Sequence, residues 1–296
     1  MSGTSAGFEL DRRGLAYAFD RASAQYDGAA QLQTTVRGEL LARLDYVRLA
    51  PAVVLDLGSG TGHASRELKR RYPRALVVAL DLAPGMLHVA RRHSRLFRRF
   101  ARVCGDAYRL PFAGASVDLI FSNLMLQWCD ELAPVCAELR RVLKPGGLLA
   151  FSTLGPDTLH ELRAAWASAD GFSHVNRFLD MHDVGDALAR AGLAEPVLDV
   201  DRHVFGFADT LALMRSLKAL GAHNVTAGRP RGLTGRRRLA AMQAAYESLR
   251  SGGALPVTYE VIYGAAWGTA APRATAPHGA EVHVPLSAIA RPSRRS

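Results

Sequence analysis

A glycine-rich turn between a predicted strand and a predicted helix constrains the fold of this chain most strongly. Residues 53–65 read V-V-L-D-L-G-S-G-T-G-H-A-S, so a short apolar run leads into glycines at positions 58, 60 and 62. Glycine adopts positive φ without steric cost and lets the backbone approach a ligand closely. The first N–H groups of the following helix are then free to bind that ligand. The stretch predicts a ligand-binding turn at the carboxyl edge of a parallel sheet.

The spacing of the glycines distinguishes this turn from other nucleotide-binding turns. A dinucleotide-binding turn reads G-x-G-x-x-G, and a phosphate-binding P-loop needs G-K-[ST] after its glycines. This chain instead reads D-x-G-x-G-x-G with no following G-K-[ST], and its G-S-G is not the G-x-S-x-G elbow of a hydrolase. The pattern resembles the first motif of class I S-adenosylmethionine (SAM) methyltransferases, where the turn lies beside the amino-acid part of SAM.

Two further acidic residues end predicted strands at the spacing of a strand–helix unit. Asp81 lies 25 residues after Asp56, and Asp106 lies another 25 residues on. A carboxylate at the end of the second strand can accept hydrogen bonds from both ribose hydroxyls. In the methyltransferases, an acid at the third position accepts from the adenine amino group. The resemblance implies SAM as the methyl donor, with these cofactor-binding residues: Asp56, Gly58, Ser59, Gly60, Gly62, Asp81, Leu82, Met86, Asp106, Ala107 and Asn123.

Strand-like and helix-like segments alternate through the first half of the chain, which predicts a parallel sheet with right-handed crossovers. The expected strands lie near residues 53–57, 76–80, 101–104, 117–122 and 147–153, and the expected helices near 62–71, 84–98 and 131–143. Residues 144–147 (K-P-G-G) are predicted as a turn whose lysine lies at a helix C-terminus. The predicted class is α/β: a Rossmann-like class I SAM methyltransferase fold, with a mostly parallel seven-stranded sheet and helices on both faces.

Four regions are predicted along the chain. Apolar positions at helical spacing predict N-terminal lid helices within residues 1–50, and residues 51–155 form the SAM-binding α/β core. Cap helices and the remaining strands, including a last antiparallel strand near 257–266, occupy residues 156–268. The Ala-, Pro- and Thr-rich stretch that follows predicts a linker and C-terminal tail over residues 269–296.

The charge of the chain does not by itself identify a partner. The net charge is +10 over 296 residues, which favours an acidic partner in principle. Nearly all of this charge is arginine, because lysine occurs only at positions 69, 144 and 218, as a GC-rich genome would also produce. The basic stretches lack the interleaved aromatic residues that stack on bases, so we expect no nucleic-acid partner.

Cysteine use and hydropathy predict a cytoplasmic protein. The three cysteines, at positions 104, 129 and 136, lack C-x-x-C spacing and are interpreted as reduced thiols. No run of 18 apolar residues predicts a membrane span, and the first residues lack an apolar signal region. The sequence does not determine the oligomeric state, for which we expect a monomer.

Motifs in the second half narrow the resemblance. The segments S-N-L-M-L-Q-W-C (122–129), H-V-N-R-F (174–178), M-R-S-L-K-A-L-G-A-H-N (214–224) and L-P-V-T-Y (255–259) are similar to the malonyl-[acyl-carrier protein] O-methyltransferases of biotin biosynthesis. The resemblance implies methylation of the free carboxylate of malonyl-[acyl-carrier protein], giving the ester that enters pimeloyl synthesis. Two alternatives remain open: methylation of another small acid or quinone precursor, or a partner-binding assembly factor of this fold associated with protein hydroxylation.

Methyl transfer to a carboxylate needs positioning more than acid–base catalysis, because the acceptor is already ionised at neutral pH. We therefore expect no general acid or base and no metal site. A second set of residues is predicted to orient the malonyl group: Arg177, Asn176, Gln127, Trp128 and Tyr26, the last of which closes over the cofactor from the lid. Arg215 and Lys218 share one side of a predicted helix and are expected to contact the acyl carrier protein or its phosphopantetheine phosphate.

Overall fold

The computed structural model describes residues 11–94, 98–172, 174–221 and 235–270. Their strands carry apolar residues on both sides, as a sheet covered by helices on both faces requires. Seven strands form one sheet within these residues: β1 (Val53–Leu57), β2 (Leu76–Asp81), β3 (Ala101–Cys104), β4 (Val117–Asn123), β5 (Leu143–Leu154), β6 (Ala194–Phe207) and β7 (Leu255–Trp267).

The order of the strands places their carboxyl ends along one edge. The order across the sheet is β3-β2-β1-β4-β5-β7-β6, with β1 to β5 parallel and β7 antiparallel to both of its neighbours. From β1 the chain adds strands toward one edge of the sheet, and from β4 it adds them toward the other edge. Open parallel sheets bind ligands at this switch in strand order, between β1 and β4. This arrangement confirms the predicted fold class, including the antiparallel last strand.

Helices precede, connect and follow these strands. Three lie before β1: α1 (Arg12–Ala22), α2 (Tyr26–Ala29) and α3 (Gln31–Arg43). Seven more α-helices lie in the described part of the chain: α4 (His63–Arg71), α5 (Pro84–Ala90), α6 (Leu132–Val142), α7 (His160–Ala167), α8 (Met181–Arg190), α9 (Thr210–Ala219) and α10 (Arg236–Glu247). None of these helices is long and apolar enough to span a bilayer.

Alternate residues of each central strand enter two separate hydrophobic cores. In β1, Val54 packs into the core beneath α3, α4, α7, α9 and α10, whereas Leu55 packs into the core beneath α6 and α8. Phe121 and Phe151, from neighbouring strands, lie in the first and the second core. Because successive side chains of a strand point to opposite faces, this alternation fixes the register of the sheet. The loops after β1, β2 and β4 are therefore held by largely buried strands.

Two local predictions are wrong, and one helix is not predicted. The helix expected over 84–98 ends at Ala90 with a short 3₁₀ turn after it, and the Ser94 hydroxyl bonds the backbone of Phe100 to close the loop. Residues 144–147 are not a free turn but a bulge inside β5, and the Lys144 ammonium pairs with Asp118 at 2.8 Å. The basic stretch before residue 247 contains the unpredicted helix α10.

The predicted region boundaries lie between elements of the fold. The boundaries proposed after residues 50, 155 and 268 fall outside the strands, and they stay predictions. The predicted tail lies outside the described residues from position 271 onward, as does the end of the segment at 214–224.

Candidate functional site

The glycine turn after β1 has the backbone geometry that its sequence predicts. Gly58, Gly60 and Gly62 have φ of +72°, +51° and +84°. A Cβ at Gly58 would stand 2.3 Å from the Met125 Cγ, so any side chain there would collide with the loop after β4. The Gly60 N–H donates to the Asp81 carboxylate at 2.8 Å. The turn is thus drawn against the end of β2, with its backbone exposed to the cavity beside it.

Asp81 organises the carboxyl edge of the sheet around this turn. Its second carboxylate oxygen accepts from the Ala83 N–H at 2.9 Å. Burial raises the pKa of Asp81, and these backbone hydrogen bonds oppose that shift. Each carboxylate oxygen has two lone pairs, so each can accept one more hydrogen bond from a ligand hydroxyl.

A cavity at this edge, hereafter the donor cavity, brings together most of the predicted cofactor-binding residues. Those that line it are Gly58, Gly60, Asp81, Leu82, Met86, Asp106, Ala107 and Asn123. The Asn123 side chain is fixed, because it donates to the Gln33 carbonyl at 3.1 Å and accepts from the Ser152 hydroxyl. The cavity combines the glycine backbone of the turn, which has positive φ, with two carboxylates and apolar walls. These features suit an adenosyl sulfonium, with its flat ring, its two ribose hydroxyls and its positively charged sulfur.

Three predicted residues lie under the turn rather than on the wall of the donor cavity. Asp56 is buried beneath the glycines and accepts from the Ser65 hydroxyl at 2.5 Å, at the start of α4. Gly62 faces Ala90, whose Cβ would be 2.7 Å from an added side-chain carbon. The Ser59 hydroxyl oxygen is buried and makes no hydrogen bond to a described residue. Asp56 and Gly62 therefore shape the turn, and direct contact with a cofactor is not part of their observed geometry.

The buried Asp56 gives folding a measurable pH dependence. Burial, together with the nearby Asp81 charge, raises the pKa of Asp56 to about 7, against the opposing hydrogen bond from Ser65. The native state then keeps a proton that the unfolded chain loses near pH 4, so stability from this group falls as pH rises from about 4 to 7. In urea unfolding, the free energy of Asp56→Asn relative to wild type should rise over this range, by up to about 1.4 kcal/mol per pH unit. A difference that is constant with pH would contradict this prediction.

Helix α1 supplies a wall of the donor cavity that the sequence motifs do not predict. Arg12, Leu15 and Phe19 line the cavity. The Arg12 guanidinium lies 3.6 Å from the centre of the Tyr108 ring and 3.3 Å from the Asp106 carboxylate. These contacts connect α1 to the loop after β3. The three positions share one helical face, and this spacing is the sequence signal that could have identified them.

A second cavity adjoins the first and is called the acceptor cavity. Phe19, Tyr26, Leu124 and Trp128 line both cavities, so these side chains form the wall between them. The Phe19 and Trp128 rings pack edge to face at 5.2 Å. The other residues lining the acceptor cavity are Leu32, Gln33, Gln127, Leu154, Leu159, Leu162, His174, Val175, Asn176, Phe178, Leu217, Leu220 and Tyr259.

The structure separates the residues predicted to orient an acceptor. Tyr26, Gln127, Trp128 and Asn176 line the acceptor cavity. Gln127 is held in place, donating to the Leu124 carbonyl at 2.7 Å and accepting from the Thr153 hydroxyl at 3.3 Å. Arg177 is exposed and is not among the residues that line either cavity. The polar side chains on the wall of the acceptor cavity thus include the amides of Gln127 and Asn176 but not the Arg177 guanidinium.

A hydrogen-bonded group joins the short lid helix α2 to the glycine turn. The Asp27 carboxylate accepts from the Thr61 hydroxyl at 2.6 Å and pairs with His63 at 3.1 Å. These bonds lower the pKa of Asp27, although partial burial acts in the opposite direction. His93 lies against His63, with ring centres 4.4 Å apart. We infer that these contacts fix helix α2 against the turn and so position Tyr26 over it.

Arg215 and Lys218 lie outside both cavities, in a surface groove between α1 and α9. We call this the basic groove; its lining residues are Asp11, Gly14, Tyr17, Ala18, Arg21, Ala22, Gln25, Arg215, Lys218 and Ala219. Three cations and one carboxylate give it a positive charge. The Asp11 side chain is engaged as the cap of α1, where it accepts from the Gly14 N–H.

Comparison with known proteins agrees with the fold. A family model described as a methyltransferase domain matches residues 55–151. A malonyl-[acyl-carrier protein] O-methyltransferase of Laribacter hongkongensis is 53% identical over 272 residues, covering 89% of this chain and 92% of that protein. A protein of the same name from a Methylovorus species is 54% identical, covering 89% and 91%. The solved YcgJ protein of Bacillus subtilis shares the fold, with a TM-score of 0.54 at 18% identity, over 78% of this chain and 98% of that one.

Proposed function

Because the chain belongs to the malonyl-[acyl-carrier protein] O-methyltransferase family, we propose that it transfers a methyl group from SAM to the free carboxylate of malonyl-[acyl-carrier protein]. The observation that carries this proposal is the pair of cavities that share one wall. A donor in one and an acceptor in the other would meet at Tyr26 and Trp128. The product, a malonyl methyl ester, would then enter the pimeloyl synthesis that leads to biotin.

The donor cavity supplies groups for each part of SAM. Asp81 would accept from the ribose hydroxyls and Asp106 from the adenine amino group, since both line the cavity. Leu82, Met86 and Ala107 offer apolar contacts to the adenine ring. SAM supplies an electrophilic methyl carbon attached to a sulfonium, so the protein needs no residue to activate the donor.

The acceptor cavity suits a reaction in which charge disappears. A carboxylate is ionised at neutral pH, so no residue has to remove a proton from it. An anion and a cation approach each other in the reaction, and the mostly apolar walls exclude the water that would stabilise the separated charges. The protein's contribution is to hold the attacking oxygen in line with the methyl carbon, at roughly 3–3.5 Å.

Asn176 is the predicted orienting residue whose geometry best fits this task. Its side-chain oxygen is buried and has no hydrogen-bond partner among the described residues. A buried polar group without a partner costs roughly 1–3 kcal/mol, and the bound acyl group, which only accepts hydrogen bonds, would pair with the amide N–H once the side chain has turned. Rotation of the carboxamide can present its NH₂ group to the thioester carbonyl or the carboxylate of the substrate.

The basic groove lies beside the acceptor cavity and fits an acidic carrier. Helix α9 and the residue that follows it contribute Leu217 and Leu220 to the acceptor cavity, and the helix contributes Arg215 and Lys218 to the groove. Arg21 joins them from the lid helix α1. A carrier that docks here would bring its phosphate-bearing arm to the acceptor cavity along the same helix.

Reversing the charges of the groove should affect the carrier and not SAM. We expect Arg215→Glu together with Lys218→Glu to raise the KM for malonyl-[acyl-carrier protein] about tenfold, with the KM for SAM unchanged. The control is Arg236→Glu with Arg237→Glu, which makes the same change in net charge at exposed positions of α10. Equal effects from the two double variants would remove the groove from carrier recognition.

The two alternatives from the sequence are less well supported. The relatives carry an O-methyltransferase name, which does not favour a partner-binding assembly factor.

Rescue of a biotin-requiring bacterial strain that lacks its own malonyl-[acyl-carrier protein] methyltransferase tests acceptor and pathway together. We expect growth without biotin from the wild-type gene and none from an Asp81→Ala gene expressed at the same level. Failure of the wild type would contradict the proposal. Cytoplasmic location and a monomeric state stay predictions.

A further inference from the structure

A buried histidine of the acceptor cavity is held in one orientation by two neighbours. His174 Nε2 lies 2.8 Å from the Asp170 carboxylate, and the His174 and Asp170 side chains are only 10% and 7% exposed. The imidazole stacks on the Trp166 indole, with ring centres 3.8 Å apart and planes 11° from parallel. Asp170 is itself fixed by the Phe172 N–H at 3.0 Å. Asp170 and Trp166 therefore hold the ring in one orientation on the wall of the acceptor cavity.

Gln33 places a second polar group on the wall of the same cavity. Its side-chain oxygen is buried without a hydrogen-bond partner among the described residues, like that of Asn176. The Gln33 backbone carbonyl accepts from Asn123, a residue of the donor cavity, so its place at the junction is fixed. Two buried, unpartnered amides on one cavity indicate that a polar ligand completes their hydrogen bonds.

We propose that His174 and Gln33 bind the terminal carboxylate of the malonyl group, and that Asp170 and Trp166 position His174 for this task. The inference rests on the proposed function and names the residues that select the acceptor. The Asp170 carboxylate engages Nε2 of the ring, so Nδ1 is the ring nitrogen that would bind the substrate carboxylate. The Gln33 carboxamide, rotated by a half turn, adds an N–H donor.

The chemistry of the acceptor explains why this pair suits it better than an arginine. A guanidinium grips both oxygens of a carboxylate, which lowers the nucleophilicity of each. Single donors can bind one oxygen and leave the other to attack the methyl carbon. Desolvation acts to raise the pKa of Asp170, but the hydrogen bonds from the Phe172 N–H and His174, together with the nearby Arg238 guanidinium, lower it, so a carboxylate lies beside the ring. An acetyl group, which has no carboxylate, would gain nothing from either residue.

The most specific test is Gln33→Glu, which places a negative charge beside the substrate carboxylate and keeps the size and shape of the side chain. In Gln33→Glu, calorimetry should give a dissociation constant for malonyl-[acyl-carrier protein] at least about tenfold above wild type, with that for acetyl-[acyl-carrier protein] and for SAM unchanged. The matched control is Gln31→Glu, an exposed position on the same helix, which should bind as wild type does. His174→Ala and Asp170→Asn should also lose the preference for malonyl over acetyl.

The outcomes separate this inference from the proposed function. A wild-type preference for the malonyl over the acetyl carrier that Gln33→Glu and His174→Ala both retain would overturn the inference, even if the wild type forms the ester. Loss of that preference with an unchanged thermal midpoint and SAM affinity would support it, because a merely structural role would lower those as well. Absence of ester from the wild type would instead overturn the proposed function.

Discussion

Asp81→Ala protein is expected to bind SAM about 10- to 100-fold more weakly than wild type, a loss of about 1–3 kcal/mol. The substitution removes the charged acceptor for the ribose hydroxyls. It also leaves the Gly60 and Ala83 N–H groups, which now donate to Asp81, without their acceptor. Isothermal titration calorimetry measures the affinity directly, without turnover.

Two further variants distinguish a lost contact from a damaged fold. Asp45 is an exposed acid paired with Arg71, so Asp45→Ala should leave SAM affinity unchanged. Asp81→Asn keeps one oxygen acceptor in nearly the same shape and should fall between alanine and wild type. An Asp81→Ala protein with wild-type affinity would remove Asp81 from the donor site.

Gly62→Ala is expected to destabilise the fold by about 2–4 kcal/mol. The added Cβ would be 2.7 Å from the Ala90 Cβ and 3.2 Å from the Ala90 Cα, so helix α5 has to move away from the turn. The residue also has φ of +84°, which strains any L-amino acid with a side chain. Urea unfolding followed by circular dichroism measures this cost.

Gly146 offers a matched control for that substitution. It has a similar φ of +75°, but an added Cβ there would have no heavy atom within 4 Å. Gly146→Ala should therefore show the backbone strain alone, about 1–2 kcal/mol. Equal losses at the two positions would mean that the contact between the turn and α5 does not restrict side-chain size.

The sequence predicted the donor cavity well because its geometry follows from local rules. Strands that end in an acid, at the spacing of a strand–helix unit, bring their tips to one edge of a parallel sheet. Asp81 and Asp106 accordingly line one cavity with Gly58 and Gly60. The same rules could not tell that Asp56 lies beneath the turn, because burial of a particular side chain depends on the elements packed around it.

The acceptor cavity was harder to predict because its walls come from distant parts of the chain. Gln33 belongs to α3, Trp128 follows β4, and His174 follows α7, so no local spacing relates them. The motif at residues 174–178 contributes His174 and Asn176 to this cavity, whereas Arg177 lies outside it, and the acceptor-binding roles predicted for Asn176 and Arg177 stay predictions. Helix α10 was missed for a similar reason: its three initial arginines hide an apolar stripe at Leu239, Met242 and Tyr246.

The most direct test of the central claim is methyl transfer in vitro from SAM labelled in its methyl group. Purified protein should place label on malonyl-[acyl-carrier protein] in a form released by mild base, as a methyl ester is. Acetyl-[acyl-carrier protein], which has no free carboxylate, should remain unlabelled. SAM binding without any label on the malonyl carrier, or equal labelling of both carriers, would contradict the account.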